Sequence, residues 1–239
     1  MRKSHYIKIA FALILINYIL FTTTAVGVEY TLGISENDNF IWTVEKLDDD
    51  RYEDLFINEA DFDEADQKKI TIDEIEETNS KWRVSYFLWD YTDDTNDFNE
   101  DADDYKTKSV YKDPEDQADV IFDMETFAKM WVVPNPYLTY LEELRDKHDN
   151  DFFDISVDDE TITMKPAFEN AEFEIQISFG GDGIAETIEY IDDNGETFLK
   201  IVEIEETIPG YDITLILGFI ILGGIVGIFL WKKKMNFSF

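Results

Sequence analysis

The sequence predicts an α+β fold: mainly antiparallel β-sheet with one or two helices packed on one face, an N-terminal signal helix and one C-terminal transmembrane helix. Three observations carry that expectation. Short segments in which apolar and polar residues alternate recur in the first and last thirds of the chain body, as half-buried strands require. Helical periodicity is confined to the middle. Two apolar runs stand at the chain ends, each followed by a change of composition.

The strands come first. In Asn39 to Lys46, Phe40, Trp42 and Val44 alternate with Ile41, Thr43 and Glu45. Lys69 to Glu77 places Ile70 and Ile72, with Ile75, on an apolar side. Trp82 to Tyr91 is so dense in aromatic and β-branched residues that it reads as a central strand buried on both faces. Leu55 to Asp66 is acidic and poorly patterned, which fits a loop or a short helix. In the middle, Asn135-Pro136 offers an N-cap and a first-turn proline for a helix reaching Asn150, with Leu138, Leu141, Leu144 and His148 on one face. A second helix is expected from about Gln117 to Met130, with Val120, Met124, Phe127 and Met130 in register and 131–134 as an extended connector. The last third reads as a meander of strands at 153–157, 161–164, 171–179, 184–191 and 197–205. Gly180 to Gly183 and Asp192-Asp193-Asn194-Gly195 supply turns, and Asn-Gly is a strong hairpin signal.

The chain has 239 residues, 54 acidic and 20 basic side chains and no cysteine. A net charge of −34 speaks against nucleic acid as a partner, because phosphate binding needs a basic face. The absence of cysteine excludes disulfides, thiolate zinc sites and cysteine nucleophiles. Residues 1–27 read as a signal peptide. Arg2, Lys3 and Lys8 precede an apolar run from Ile9 to Phe21, and small residues follow, with cleavage expected after Ala25 or Gly27. The run reaches only ~20 Å as a helix, short of a hydrocarbon core of ~30 Å. At the other end, residues 213–231 carry no charge and span ~28 Å as a helix, enough to cross a bilayer. Trp231 suits the interface, and Lys232, Lys233 and Lys234 place the tail 232–239 on the cytoplasmic side. All 54 acidic residues lie between Glu29 and Asp212, where 14 basic ones leave a balance of −40. The expected plan is a signal peptide at 1–27, an acidic extracellular domain at 28–207 and an anchor at 208–239. The protein would be a single-pass cell-membrane protein with most of its chain outside.

Before the apolar segment stand Pro209, Gly210 and Tyr211. A Pro-Gly-aromatic tripeptide, a hydrophobic helix and a basic cluster together resemble the C-terminal sorting signals of archaeal surface proteins of the PGF type. That resemblance covers about 30 residues, has Tyr where the signal has Phe, and implies processing by an archaeosortase with transfer to a lipid. The acidic, cysteine-free, Ile-, Asn- and Phe-rich chain is likewise similar to cell-surface proteins of Asgard-type archaea.

Within the body, the densest acidic run is Asp90 to Asp104. Asp93, Asp94, Asp97, Asn99, Asp101 and Asp103 are the candidate ligands for Ca²⁺, which prefers six to eight hard oxygens. Asp97, Asn99 and Asp101 match the opening of an EF-hand loop, but Ala102 stands in place of its glycine and Lys108 in place of its glutamate. The plainer expectation is a solvated acidic hairpin tip between Tyr91 and Tyr105. His148 has no nucleophile motif to serve, and no catalytic residue is expected. Trp42, Trp82, Trp89 and Trp131 are expected to pack in the core rather than form a stacking surface. No cofactor is required beyond a possible Ca²⁺. Expected partners are membrane lipid, divalent cations and other envelope or surface-layer proteins. The functional expectation is a structural or ligand-binding surface protein. A membrane-tethered hydrolase and a solute- or lipid-binding receptor module are the alternatives.

Overall fold

The computed structural model describes residues 28–56, 59–121, 124–148, 152–167 and 172–204. The signal peptide, with Ala25 and Gly27, and the anchor, with Pro209, Gly210, Tyr211 and Lys232 to Lys234, lie outside the described residues. Among the described residues no helix is long and apolar enough to cross a membrane.

The described strands are β1 (Asn39–Leu47), β2 (Gln67–Glu77), β3 (Lys81–Thr92), β4 (Asp104–Tyr111), β5 (Phe153–Asp158), β6 (Thr161–Pro166), β7 (Phe173–Phe179), β8 (Ala185–Asp192) and β9 (Thr197–Ile204). They form one sheet in the order β4-β3-β2-β1-β9-β8-β7-β6-β5. Every pairing is antiparallel. Two meanders therefore meet at a central seam, where β1 lies beside β9 with Trp42 opposite Glu203 and Val44 opposite Ile201. The helices are α1 (Asp49–Phe56), α2 (Pro114–Ala118), α3 (Met124–Ala128) and α4 (Tyr137–Lys147). The mainly antiparallel sheet with a few helices matches the α+β expectation.

Alternation sorts each strand into two faces. Phe40, Trp42, Val44, Ile70, Ile72, Val84, Leu88, Ile162, Met164, Ile175, Ile177 and Phe179 are buried in one continuous core on the inner face. The connector 131–134 crosses that face as extended chain. Ala185 donates its N–H to the Trp131 carbonyl, and Val133 donates to that of Gly183. Trp131 then packs edge-on against Trp42 and Tyr86 at 6.2 and 5.5 Å. α2 packs against α4, α2 against β4, and α4 against β5, so the helical layer touches both edge strands of the sheet.

Four local expectations are corrected. β3 is buried on one face only: Trp82, Val84 and Leu88 point inward, whereas Phe87 is 37% exposed, because β3 sits one strand from the edge. The single helix over 117–130 is two short ones. Asp113 caps α2 by accepting the Glu115 N–H, and Pro114 opens it, so the helix starts earlier and ends at Ala118. In α4 the buried residues are Tyr140, Leu141 and Leu144, while Leu138 is exposed. The acidic stretch after β1 opens α1 at Asp49, six residues before the segment expected to hold a loop or short helix. There Asp48 accepts the Arg51 N–H and carboxylates occupy the first turn, where the helix dipole favours them.

The open edge at β4 is guarded by charge. Lys106 and Lys108 lie in register with inward-facing Tyr86 and Val84. Inward-pointing charges on an edge strand discourage pairing with another chain. Lys108 donates from Nζ to the Lys129 carbonyl, and burial lowers its pKa to about 8.

Candidate functional site

The strand registers assign every loop to one of two ends of the sheet. At the end where β9 stops at Ile204, β1 begins and Ile41 faces Ile204. The N-terminal segment lies there too: Thr31 bridges Asn135, and Asn37 donates to the Ile72 carbonyl. Both ends of the described chain therefore leave from one end of the sheet, called here the exit end. The opposite end carries the β1–α1 junction, the β3–β4 loop and the β8–β9 turn.

That opposite end gathers the acidic clusters that the sequence shows separately: Asp48 to Asp50, the carboxylates between Asp61 and Asp66, the run from Asp93 to Asp103, and Asp192 with Asp193. Arg51 ties two of them together, with Nε 3.5 Å from Asp192 and Nη2 3.3 Å from Asp193. Asp192 is held below the usual carboxylate range. Its chief cause is the Glu196 backbone N–H, joined by the side-chain and backbone N–H groups of Asn194 and by the Arg51 charge. Beneath α1, Tyr52, Phe56, Phe62, Tyr91, Phe173, Tyr190 and Phe198 interlock as aromatic rings. Burial raises the hydroxyl pKa of Tyr91 and of Tyr190. Lys46, Leu47, Asp48, Asp49, Asp50 and Glu64 line a shallow, open depression at this rim.

The candidate Ca²⁺ ligands belong to the β3–β4 loop, which is the acidic hairpin tip expected between Tyr91 and Tyr105. A 3-10 turn over Thr95–Asn99 folds it. Asp97 accepts the Thr92 hydroxyl at 2.7 Å, and Asp103 accepts the Asp90 N–H at 2.9 Å. These carboxylates serve the turn, and among the described residues no three Asp, Glu or His side chains converge in a metal-binding arrangement. Asp93, Asp94, Asn99 and Asp101 lie in the same loop.

So much negative charge at one rim has a thermodynamic consequence. Mutual repulsion opposes folding and is screened over ~10 Å at ~0.1 M salt. The melting midpoint of the full chain in a non-ionic detergent is expected to rise as NaCl goes from ~0.02 to ~0.5 M. It should fall when divalent cations are removed with EDTA at low salt. A midpoint unaffected by either treatment would remove the idea.

Two residues stand out: one that the sequence does not single out, and one that it places in the core. Glu203, the last residue but one of β9, lies at the exit end on the inner face, opposite Trp42. Its pKa is pushed up to about 7, first by burial and then by the charges of Asp182 and Glu186. The unfolded carboxyl releases its proton near 4.5, so between the two values the folded state binds more protons and stability falls as pH rises. Because Glu203 is only half-buried, screening reduces the effect to about 1 kcal/mol. Glu203→Gln should raise the melting midpoint at pH 8 and leave it unchanged at pH 4. Equal midpoints for both proteins at pH 8 would show that the carboxyl is not strained. The signal came only from the fold, since Asp182 and Glu186 reach Glu203 through the β7–β8 turn.

The second is Trp89. Trp42, Trp82 and Trp131 are at most 8% exposed and pack in the core as expected. Trp89 lies on the outer face, in register with Lys69, and donates its indole N–H to the Glu100 carbonyl at 3.2 Å. His148, at the end of α4, places Nε2 3.3 Å from the Phe153 carbonyl, a structural contact between α4 and β5.

No known protein-family model matches the chain, and no curated protein is similar to it in sequence.

Proposed function

We propose that this chain is a membrane-anchored cell-surface protein whose acidic, β-rich domain stands outside the cell and serves a structural or ligand-binding role in the envelope. The observation that carries the reading is charge segregation. Every carboxylate lies between Glu29 and Asp212, and the charge-free segment 213–231 runs directly into Lys232, Lys233 and Lys234. The topology supports it. The described chain begins and ends at the exit end, and only eight residues separate Ile204 from Ile213. Fully extended, they reach about 28 Å. The exit end would therefore rest near the bilayer, with the acidic rim projecting outward and away from anionic headgroups. Residues 1–27 direct export and are removed after Ala25 or Gly27. Pro209, Gly210 and Tyr211 form the processing site if the anchor is exchanged for a lipid.

Shaving intact expressing cells with a protease tests the topology. Loss of the 28–204 body with retention of a membrane-bound C-terminal fragment is expected if the anchor is uncut. Mass spectrometry of the membrane-extracted protein reads both mature termini and any attached lipid. Bulk chain left intact on shaved cells, or recovered freely dispersed in cytosol, overturns the reading.

A further inference from the structure

The outer face of β2, β3 and β4 carries one exposed aromatic strip. Thr71, Phe87 and Tyr105 follow one another across the three strands. Phe87 is 37% exposed and Tyr105 50% exposed, and their rings lie 5.2 Å apart. Beside them, Trp89 and Phe98 flank the Lys69 ammonium at 5.3 and 5.7 Å. This face therefore already holds a cation between aromatic rings, drawn from its own chain. Carboxylates border the strip. Asp73 accepts the Tyr105 hydroxyl at 2.9 Å, and Glu74 faces Ser85. The neighbouring cations on this face are engaged: Arg83 pairs with Glu76 at 3.2 Å, and Lys69 sits between its rings.

We infer that the Phe87–Tyr105 strip is a docking surface for a cationic polypeptide segment, one that presents arginine or lysine side chains over the rings and toward Asp73 and Glu74. Charge complementarity selects this occupant. A second copy of a domain carrying −40, or an anionic lipid surface, would be repelled. A neutral saccharide could stack on the rings but would gain nothing from the surrounding field. An arginine guanidinium uses both features, stacking on an aromatic face while donating to carboxylates. The inference deepens the envelope reading by naming the chemistry of a partner. Its test uses purified protein, so it succeeds or fails independently of where the chain resides.

Full-length protein in a non-ionic detergent is titrated with an acetylated and amidated hexapeptide of alternating glycine and arginine. The same peptide with glutamate for arginine, and maltohexaose, are titrated in parallel. Chemical-shift changes from the arginine peptide are expected at residues 85–89 and 103–107, including the Trp89 indole N–H, with smaller changes at 48–64. Phe87→Ser combined with Tyr105→Ser should weaken binding about fivefold, the contribution of two exposed cation–π contacts. Neutralising Asp48, Asp49 and Asp50 to Asn should weaken it less than twofold. Equal losses in the two variants, or shifts spread evenly over both regions in the unaltered protein, reduce the binding to general charge attraction and overturn the proposal. So does binding of maltohexaose at the strip without binding of the arginine peptide. Because the shift map needs no variant, a misfolded double mutant does not rescue the idea.

Discussion

Trp42→Ala is expected to lower stability by about 4 kcal/mol, the cost of deleting a large buried ring and leaving its space unfilled. For a body of this size that is a fall of about 12 °C in the melting midpoint. The position explains the magnitude. Trp42 lies in β1, opposite Glu203 of β9 and Lys68 of β2, so it sits on the seam where the two meanders join. It is 3% exposed and packs against Phe40 and Trp131 at 6.0 and 6.2 Å. Its indole N–H donates to the Ala185 carbonyl at 2.8 Å, a buried bond that ties β1 to the start of β8. Trp42→Phe keeps most of the apolar volume but leaves that carbonyl unpaired, for a loss of about 2 kcal/mol. Circular dichroism melts of the two variants separate ring packing from the hydrogen bond. A Trp42→Ala midpoint within a degree or two of the parent would mean that the seam does not hold the halves together.

The same seam marks where sequence reasoning reached its limit. Alternation located β1, β2 and the strands of the last third to within a residue or two, because a half-buried strand must place apolar side chains at every second position. Asn194-Gly195 located the β8–β9 hairpin, with Gly195 at φ +82° as such a turn requires. Nothing in a strand's own pattern states its partner across 160 residues, so the β1–β9 pairing had to come from the fold. The helices were harder. α2, α3 and α4 owe their existence to contacts with the sheet and with one another, and short helices have little intrinsic stability. Asp113-Pro114 is a readable start signal for α2, but the apolar spacing of the sequence runs on past its end at Ala118. Asp48, Asp49 and Asp50 are a readable helix start for α1, a capping side chain followed by two acids in the first turn.

The candidate site divides in the same way. Each acidic cluster was visible as composition, but their convergence on one rim is topological, since it depends on β1, β3 and β9 all meeting that rim with their loops or turns. Trp42, Trp82 and Trp131 pack in the core as expected. Trp89 faces outward because β3 is exposed on one side near the sheet edge. Lys69 and Phe98, which complete its surroundings, lie 20 and 9 residues away in sequence and carry no motif. Nothing in its own segment sets Glu203 apart; burial and the charges of Asp182 and Glu186 do.

A series of glycine-to-alanine changes, with Gly195 of the opposite end as its control, tests the exit end most severely, because the series separates space from backbone conformation. At Gly33 an added Cβ would lie 1.9 Å from the Asp182 carbonyl oxygen and 2.7 Å from the Asn135 side chain. The first is backbone and cannot swing away, so the N-terminal segment must leave the β7–β8 turn. At Gly183, φ is +82° and the Cβ would meet the Val133 carbonyl oxygen at 2.3 Å, beside the bond from the Val133 N–H to the Gly183 carbonyl. Strain and collision coincide, and each of these two changes is expected to cost roughly 3 kcal/mol. Gly195 shares the φ of +82° but opens onto empty space, so Gly195→Ala should cost about 1 kcal/mol, the left-handed penalty alone. Gly181 has neither obstacle, and Gly181→Ala should be neutral or stabilise by about 0.5 kcal/mol through the unfolded chain. The order of melting midpoints, 181 above 195 and both above 33 and 183, is the measurement. A Gly33→Ala protein as stable as Gly181→Ala would mean that the N-terminal segment does not seat against the turn. The convergence of the chain's two exits on one end of the sheet would then lose its structural support.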